Sequence, residues 1–294
     1  MQDILRNLPE DKQTRRAWIG LFILLTYFAL YVLINVMASS MVQIDEDYML
    51  SQDPISLLIT QAVSQLIMFI VVAVLISYSL LKFDVKDFFS PISWKATAYT
   101  IGIGVGSMVI ISAIGEWNMN LDFGDSDFSK WARKSEDQLK VVTEHITNFQ
   151  SFQHFLMAFL AVGIVPAIGE ELIFRGLIQN FFLKTLKNHH VAIWLTGFIF
   201  AAIHLQFFGF APRMILGVVF GYLYHWSGKL TVAMIGHLVN NGLALILLYL
   251  AHTEVIQVTP EQMEQSAPWP AVLLFGAATA YLLFRFKKEF SADA

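Results

Sequence analysis

A charged side chain inside a membrane-length apolar run costs about 2.5–3.5 kcal/mol on insertion scales, so the ones a chain keeps there point to chemistry. Three groups of this kind stand out among the 294 residues. The first is Gly169-Glu170-Glu171-Leu172-Ile173-Phe174-Arg175-Gly176, which follows the apolar stretch from Phe155 to Ile168. Glu171 and Arg175 are four apart, acid before base, and compensate each other on one helix face. Glu170 points about 100° further round and has no obvious local partner, which suits a general base or acid. Pro166, one turn earlier, bends the helix and frees a backbone carbonyl. The competing reading is that Glu170, Glu171 and Arg175 mark a solvated helix end. The second group is His204, with Phe200 one turn before it on the same face. The third is His237, Asn240 and Asn241, in the middle of a strongly apolar run. Either of these two, taken alone, reads as a hydrogen-bonded packing element between helices.

Taken together they say more. Two glutamates, an arginine, two histidines and an asparagine each need partners away from lipid, and one shared polar cavity serves them all. A carboxylate can activate water, an imidazole can move a proton, and an imidazole or amide can donate to an oxyanion. Two histidines and a glutamate could also hold zinc with an open position, although the His-Glu-x-x-His helix is absent. A serine nucleophile lacks its Gly-x-Ser-x-Gly elbow. The chain has no cysteine, which excludes a thiol nucleophile, a disulfide and a cysteine-ligated metal. The run Ile101-Gly102-Ile103-Gly104-Val105-Gly106 sits inside an apolar span with no strand–turn–helix unit around it, so Gly102 and Gly106 read as a close-packing pair. Gly217 and Gly221 read the same way.

The elements that must carry these residues are membrane spans. Hydrophobic residues make up 56% of the chain and charged residues 14%, against about 25% charged in a soluble domain. The excess is gathered into runs long enough to cross a hydrocarbon core. The pattern predicts an all-α, polytopic helical bundle with about eight spans: 17–39, 55–81, 97–115, 153–173, 190–208, 212–226, 230–251 and 268–286. The first run is too long for the apolar part of a cleaved signal and reads as a retained span. With the N-terminus in the cytoplasm, thirteen Lys and Arg fall on cytoplasmic segments, among them Arg6, Lys82, Lys86, Lys184, Lys187 and Lys229, while five fall on the opposite face, Arg213 included. This asymmetry predicts cytoplasmic termini at both ends. The outer loops carry Asp45, Glu46, Asp47, Glu254, Glu261 and Glu264. The organisation is then a cytoplasmic segment 1–16, one membrane domain 17–286 with its polar core at about 153–251, and a tail 287–294. The outer loop 116–152 has helical spacing in its later half and reads either as a surface amphipathic helix or as a solvated loop. A net charge of −4 gives nucleic acid no support as a partner. No internal repeat of the kind many transporters carry is visible.

The three groups resemble, in order and spacing, the motifs of the CPBP (CAAX protease and bacteriocin-processing, or Abi) family, which includes type II CAAX prenyl endopeptidases. Glu-Glu-x-x-x-Arg corresponds to Glu170, Glu171 and Arg175, Phe-x-x-x-His to Phe200 and His204, and His-x-x-x-Asn to His237 and Asn241. The approach Gly221-Tyr222 through Ser227-Gly228-Lys229-Leu230 is also similar. The resemblance covers about 160–245. It implies an eight-helix membrane protein with a conical cavity open to the cytoplasm, and a metal-free, cofactor-free glutamic endopeptidase. By the same resemblance Glu170 activates water with His204, His237 and Asn241 stabilise the oxyanion, and Glu171, Arg175 and Phe200 support them. The expected partners are membrane lipid and a peptide or lipidated protein substrate, and the expected location is a bacterial inner membrane. The alternatives are a non-proteolytic immunity or scaffold protein and a transporter.

Overall fold

The computed structural model describes residues 10–41, 50–81, 88–258, 262 and 265–291. Arg6, Lys82, Lys86, Asp45, Glu46, Asp47, Glu261 and Glu264 lie outside them. Among the described residues every regular element is a helix. In chain order these are α1 (Glu10–Met41), α2 (beginning Pro54–Gln65 and running on through Ser77–Leu81), α3 (Trp94–Met119), α4 (Asp127–Thr147), α5 (Phe152–Leu186), α6 (His189–Ala202), α7 (Phe210–Ser227), α8 (Leu230–His252) and α9 (Trp269–Phe290). Six of them, α1, α2, α3, α5, α8 and α9, are long and apolar enough to cross a membrane. The chain is a multi-pass membrane protein built as a helical bundle.

Helix starts follow local chemistry. Asp53, Ser93, Ser126, Ser151 and Asn188 each cap the first turn of α2, α3, α4, α5 and α6 through the side-chain oxygen. Lys187 and Gly228 adopt left-handed backbone at the ends of α5 and α7, which turns the chain sharply into α6 and α8.

Two boundaries differ from the sequence pattern. The fourth span does not stop at 173 but continues to Leu186 as one 35-residue helix. It stays helical past its charged residues because they are neutralised inside the bundle. The fifth ends at Ala202, with His204 in the turn beyond. At 14 residues and 1.5 Å rise, α6 is about 21 Å long, shorter than the roughly 30 Å core. It packs along α7, where a Cβ on Gly217 would come within 3.0 Å of Gly197 Cα. The loop 116–152 contains the amphipathic helix α4, which rests against α2, α5 and α8.

Gly102 and Gly106 pack as the spacing predicts. Gly102 faces Leu282 and Gly106 faces Thr279, both on α9, while Gly104 faces Val239 on α8. α3 is thereby wedged between α8 and α9.

Candidate active site

The site is built on α5, whose regularity is broken on both sides of the glutamates. Val165–Glu171 is α-helical, but Phe159–Ile164 before it and Leu172–Gln179 after it widen into π-helical turns. Such turns re-aim side chains and recur at functional positions. The first has a cause in the sequence: Pro166 has no N–H, and in α-helical register the carbonyl it leaves unpaired belongs to Val162. The side chain of Asn241 on α8 donates to that carbonyl at 3.1 Å. The asparagine of the third motif is therefore tied to the break that precedes the first. Its amide is held from the other side by Asn240, which donates to Asn241 Oδ1 at 3.0 Å.

The charged residues are deeply buried, which overturns the solvated-end reading. Glu170 is 7% exposed, and Glu171 and Arg175 are 0% exposed. Arg175 donates to Glu171 Oε1 at 2.7 Å and to the Gly217 carbonyl at 2.9 Å. Its guanidinium also lies over the rings of Phe200 and Phe220, at 4.9 and 5.7 Å. Two aromatic rings and two oxygens thus surround the cation, which makes a guanidinium tolerable at this depth. One turn on, Gln179 donates to the Gly221 carbonyl and Asn180 donates to the Arg175 and Gly176 carbonyls and to the Tyr224 hydroxyl. Gly217 and Gly221 therefore do more than permit close packing: without side chains, their carbonyls are open to the polar face of α5.

Glu171 has a second partner that local spacing does not reveal. His237 Nδ1 sits 2.8 Å from Glu171 Oε1, so the imidazole is held by the same oxygen that holds Arg175. With Nδ1–H donated to Glu171, Nε2 faces Glu170 Oε2 at 4.0 Å. The ring is stacked on Phe220 and set edge-on to Phe200. His204 flanks the other side of Phe200, at 5.3 Å between ring centroids. Its Nδ1 lies 2.8 Å from the Phe200 carbonyl, which assigns the proton there and leaves Nε2 as an acceptor. His204 is only half-buried, in a turn whose next residue, Leu205, has a left-handed φ of 55°. Phe200 is thus a platform touching Arg175, Phe174, His204 and His237.

Glu170, Glu171, Arg175, Phe200, His204 and His237 are linked to one another around this site, while Asn241, one turn after His237 on α8, bonds the Val162 carbonyl instead. Two charged residues near them carry no motif. Arg213, in the first turn of α7, lies within electrostatic reach of Glu170, His204 and the Glu136 carboxylate of α4. Burial pushes the Glu136 carboxyl up, and the Arg213 charge pulls it back. The sequence signal for Arg213 was a lone cation opening an apolar helix. Among the described residues no three His, Asp or Glu side chains are grouped to hold a metal ion.

The site is not equally enclosed at its two ends. Towards Lys184 every residue from Leu172 to Phe182 is buried, and Tyr224 closes the gap. Towards α4, His204, Gln206, Arg213, Asn240 and Asn241 are half-buried. The looser end is thus opposite the one expected to face the cytoplasm. Glu170 also sits near the middle of α5 rather than at the end expected to be cytoplasmic: the run from Glu170 to Leu186 is about 24 Å of helix axis.

Comparison with known families falls on this segment. Residues 152–243 match the family described as type II CAAX prenyl endopeptidase Rce1-like. The chain is 26% identical over 102 residues to the uncharacterized protein YpbD of Bacillus subtilis (strain 168), covering 33% of this chain and 47% of that protein. It is 27% identical over 106 residues to the membrane-embedded CAAX protease MroQ of Staphylococcus aureus (strain USA300), covering 34% and 42%. The chain spans under half the length of these relatives. No solved structure matches it. The resemblance carried by the three motifs is borne out over this segment.

Proposed function

We propose that this chain, with its Rce1-like segment at 152–243, is an intramembrane endopeptidase that hydrolyses a peptide bond of a membrane-associated or lipidated substrate through a glutamate-activated water. The observation that carries the reading is the pair formed by Glu170 and the Glu171-held ring of His237, two groups 4.0 Å apart in a buried site. That separation suits two groups sharing one water better than a direct bond.

In this reading Glu170 takes a proton from the water as its oxygen attacks the scissile carbonyl carbon. The Nε2 acceptor of His204 orients the water or receives the proton. The oxyanion accepts hydrogen bonds from Asn241, which has one amide N–H beyond that given to Val162, and from His237 when the ring is protonated. The proton then passes to the departing amine as the C–N bond breaks. Glu171 and Arg175 fix the ring of His237 rather than touch the substrate. Glu171 is committed to Arg175 and His237, which supports chemistry without a resident metal; activity is expected to survive a zinc chelator. The helical architecture supports a bacterial inner-membrane placement, and the excess of cations at the Lys184 end supports having that end in the cytoplasm.

The test compares protein termini in membranes of cells lacking the protein and complemented with wild type or Glu170→Ala at matched expression. Termini that appear with wild type and vanish with Glu170→Ala are expected, since losing a general base costs about 100-fold or more. Identical termini in all three would leave the non-proteolytic immunity or scaffold reading in place of this one.

A further inference from the structure

The reaction read above accounts for Glu170, His204, His237 and Asn241 but not for Arg213. This residue sits where α7 begins, with its backbone N–H bonded to the Gly209 carbonyl. Its guanidinium lies directly against Gly209, where a Cβ would collide with Nη1. Nη1 is shielded from solvent and no hydrogen-bond partner serves it among the described residues. Two carboxylates, Glu170 and Glu136, are within electrostatic reach, yet neither forms an ion pair with Arg213. Glu136 Oε2 is likewise buried and unpartnered.

The contrast with Arg175 is instructive. Arg175 is wholly buried, and its charge is met by a carboxylate, a carbonyl and two aromatic rings. Arg213 has only distant charges for company. A guanidinium nitrogen shielded from solvent without an acceptor is costly, and the cost is recovered when an oxygen anion arrives with the matching two-pronged geometry. The first turn of α7 adds the positive end of a helix dipole at the same place. The residue is also on the half-buried side of the site, near His204, so an incoming chain can reach it.

We propose that Arg213 is a carboxylate-binding residue at the mouth of the Glu170 site, taking either the terminal carboxylate of a bound peptide or an acidic side chain next to the bond that is cut. This rests on the peptidase reading for its substrate, but the binding itself does not require turnover. The repulsion between Glu170 and a second carboxylate is what Arg213 offsets, so the cation permits an acidic peptide to approach a site that already holds a glutamate. Glu136 occupies the electrostatic role when no peptide is present.

The experiment uses the full chain in detergent and three fluorescent decapeptides of identical Leu/Ala sequence: one with a free terminal carboxylate, one with a terminal amide, and one amide carrying a single internal Asp. Binding is measured by anisotropy in the Glu170→Gln background. A carboxylate held by this half-buried guanidinium is expected to improve affinity about tenfold or more over the amide. Arg213→Ala should erase that ratio and Arg213→Lys should keep part of it. Gly209→Ala, which retains the charge but displaces the guanidinium, should lower it. If only the free acid gains, the site reads a chain terminus; if the internal Asp gains as well, it reads an acidic side chain. Equal binding of all three peptides, no binding of any, or a ratio unchanged in Arg213→Ala overturns the proposal and leaves Arg213 and Glu136 as a structural charge pair. Cleavage by the Glu170-intact chain is scored separately: binding discrimination without cleavage sinks the peptidase reading and not the carboxylate site.

Discussion

Glu170 and Glu171 are adjacent in sequence and buried alike, yet their surroundings give them opposite duties. Glu171 Oε1 accepts from Arg175 at 2.7 Å and meets His237 Nδ1 at 2.8 Å, so it is the joint between α5 and α8. Among the described residues Glu170 makes no side-chain hydrogen bond, and its one ionic approach is to His237 at 4.0 Å. Removing Glu171 leaves a fully buried guanidinium without its counter-charge and frees the histidine ring. Glu171→Ala should therefore cost about 3–5 kcal/mol of stability, the range for breaking one partner of a buried pair. Glu170→Ala should leave the melting temperature within a degree or two of wild type while abolishing cleavage. Thermal unfolding of the two purified variants in one detergent checks the contrast; equal losses would mean that Glu170 is as structural as its neighbour. The acid–base order at 171 and 175 could be read from the sequence because a four-residue spacing fixes helix faces. The bond from Glu171 to His237 could not, because nothing in local spacing encodes which helix will stand opposite.

Between residue and bundle stands the break in α5. Pro166 opens the ladder at Val162, and Asn241 answers it from α8. Two motifs are thus coupled through a backbone carbonyl. Asn241→Ala should lose about 1–3 kcal/mol by leaving the carbonyl of the half-buried Val162 unmet. Pro166→Ala restores an N–H to the helix and should recover part of this loss in the double variant, giving a non-additive cycle. Strict additivity in chemical denaturation would show that the asparagine and the proline act separately. At this scale the sequence was readable where composition rules: every predicted span holds a helix, and the Gly102–Gly106 pair packs against α9. It was unreadable where burial overrides composition. The charges at 170, 171 and 175 made α5 look finished at 173, whereas their neutralisation inside the bundle lets it run to Leu186. α6 stops at Ala202 before its apolar run is spent, because the turn at Leu205 takes over and places His204 outside the helix.

At the scale of the whole molecule the two ends of the site differ, and the difference predicts where a substrate would enter. Phe174, Leu177, Phe181 and Tyr224 fill the end near Lys184 and are all 1% exposed or less. His204, Gln206, Arg213 and the two asparagines at 240 and 241 are half-buried at the other end, beneath α4. The cationic residues at 184, 187 and 229 cluster at the sealed end, which the positive-inside rule assigns to the cytoplasm. Together these predict a mouth on the outer face, whereas the family resemblance implies a cavity open to the cytoplasm, and labelling separates the two. The absence of cysteine makes the point directly measurable, since any single cysteine introduced is the sole target of a maleimide. Gln206→Cys reports the mouth, Lys134→Cys on the exposed face of α4 reports its compartment, and Leu186→Cys reports the sealed end. With a membrane-impermeant maleimide on intact cells, Lys134→Cys and Gln206→Cys should label and Leu186→Cys should label only after lysis. Labelling of Leu186→Cys alone on intact cells would invert the bundle and return the mouth to the cytoplasm. A Gln206→Cys that stays unlabelled before and after lysis, while Lys134→Cys reacts, would mean that α4 closes the site and must move before any peptide can reach Glu170.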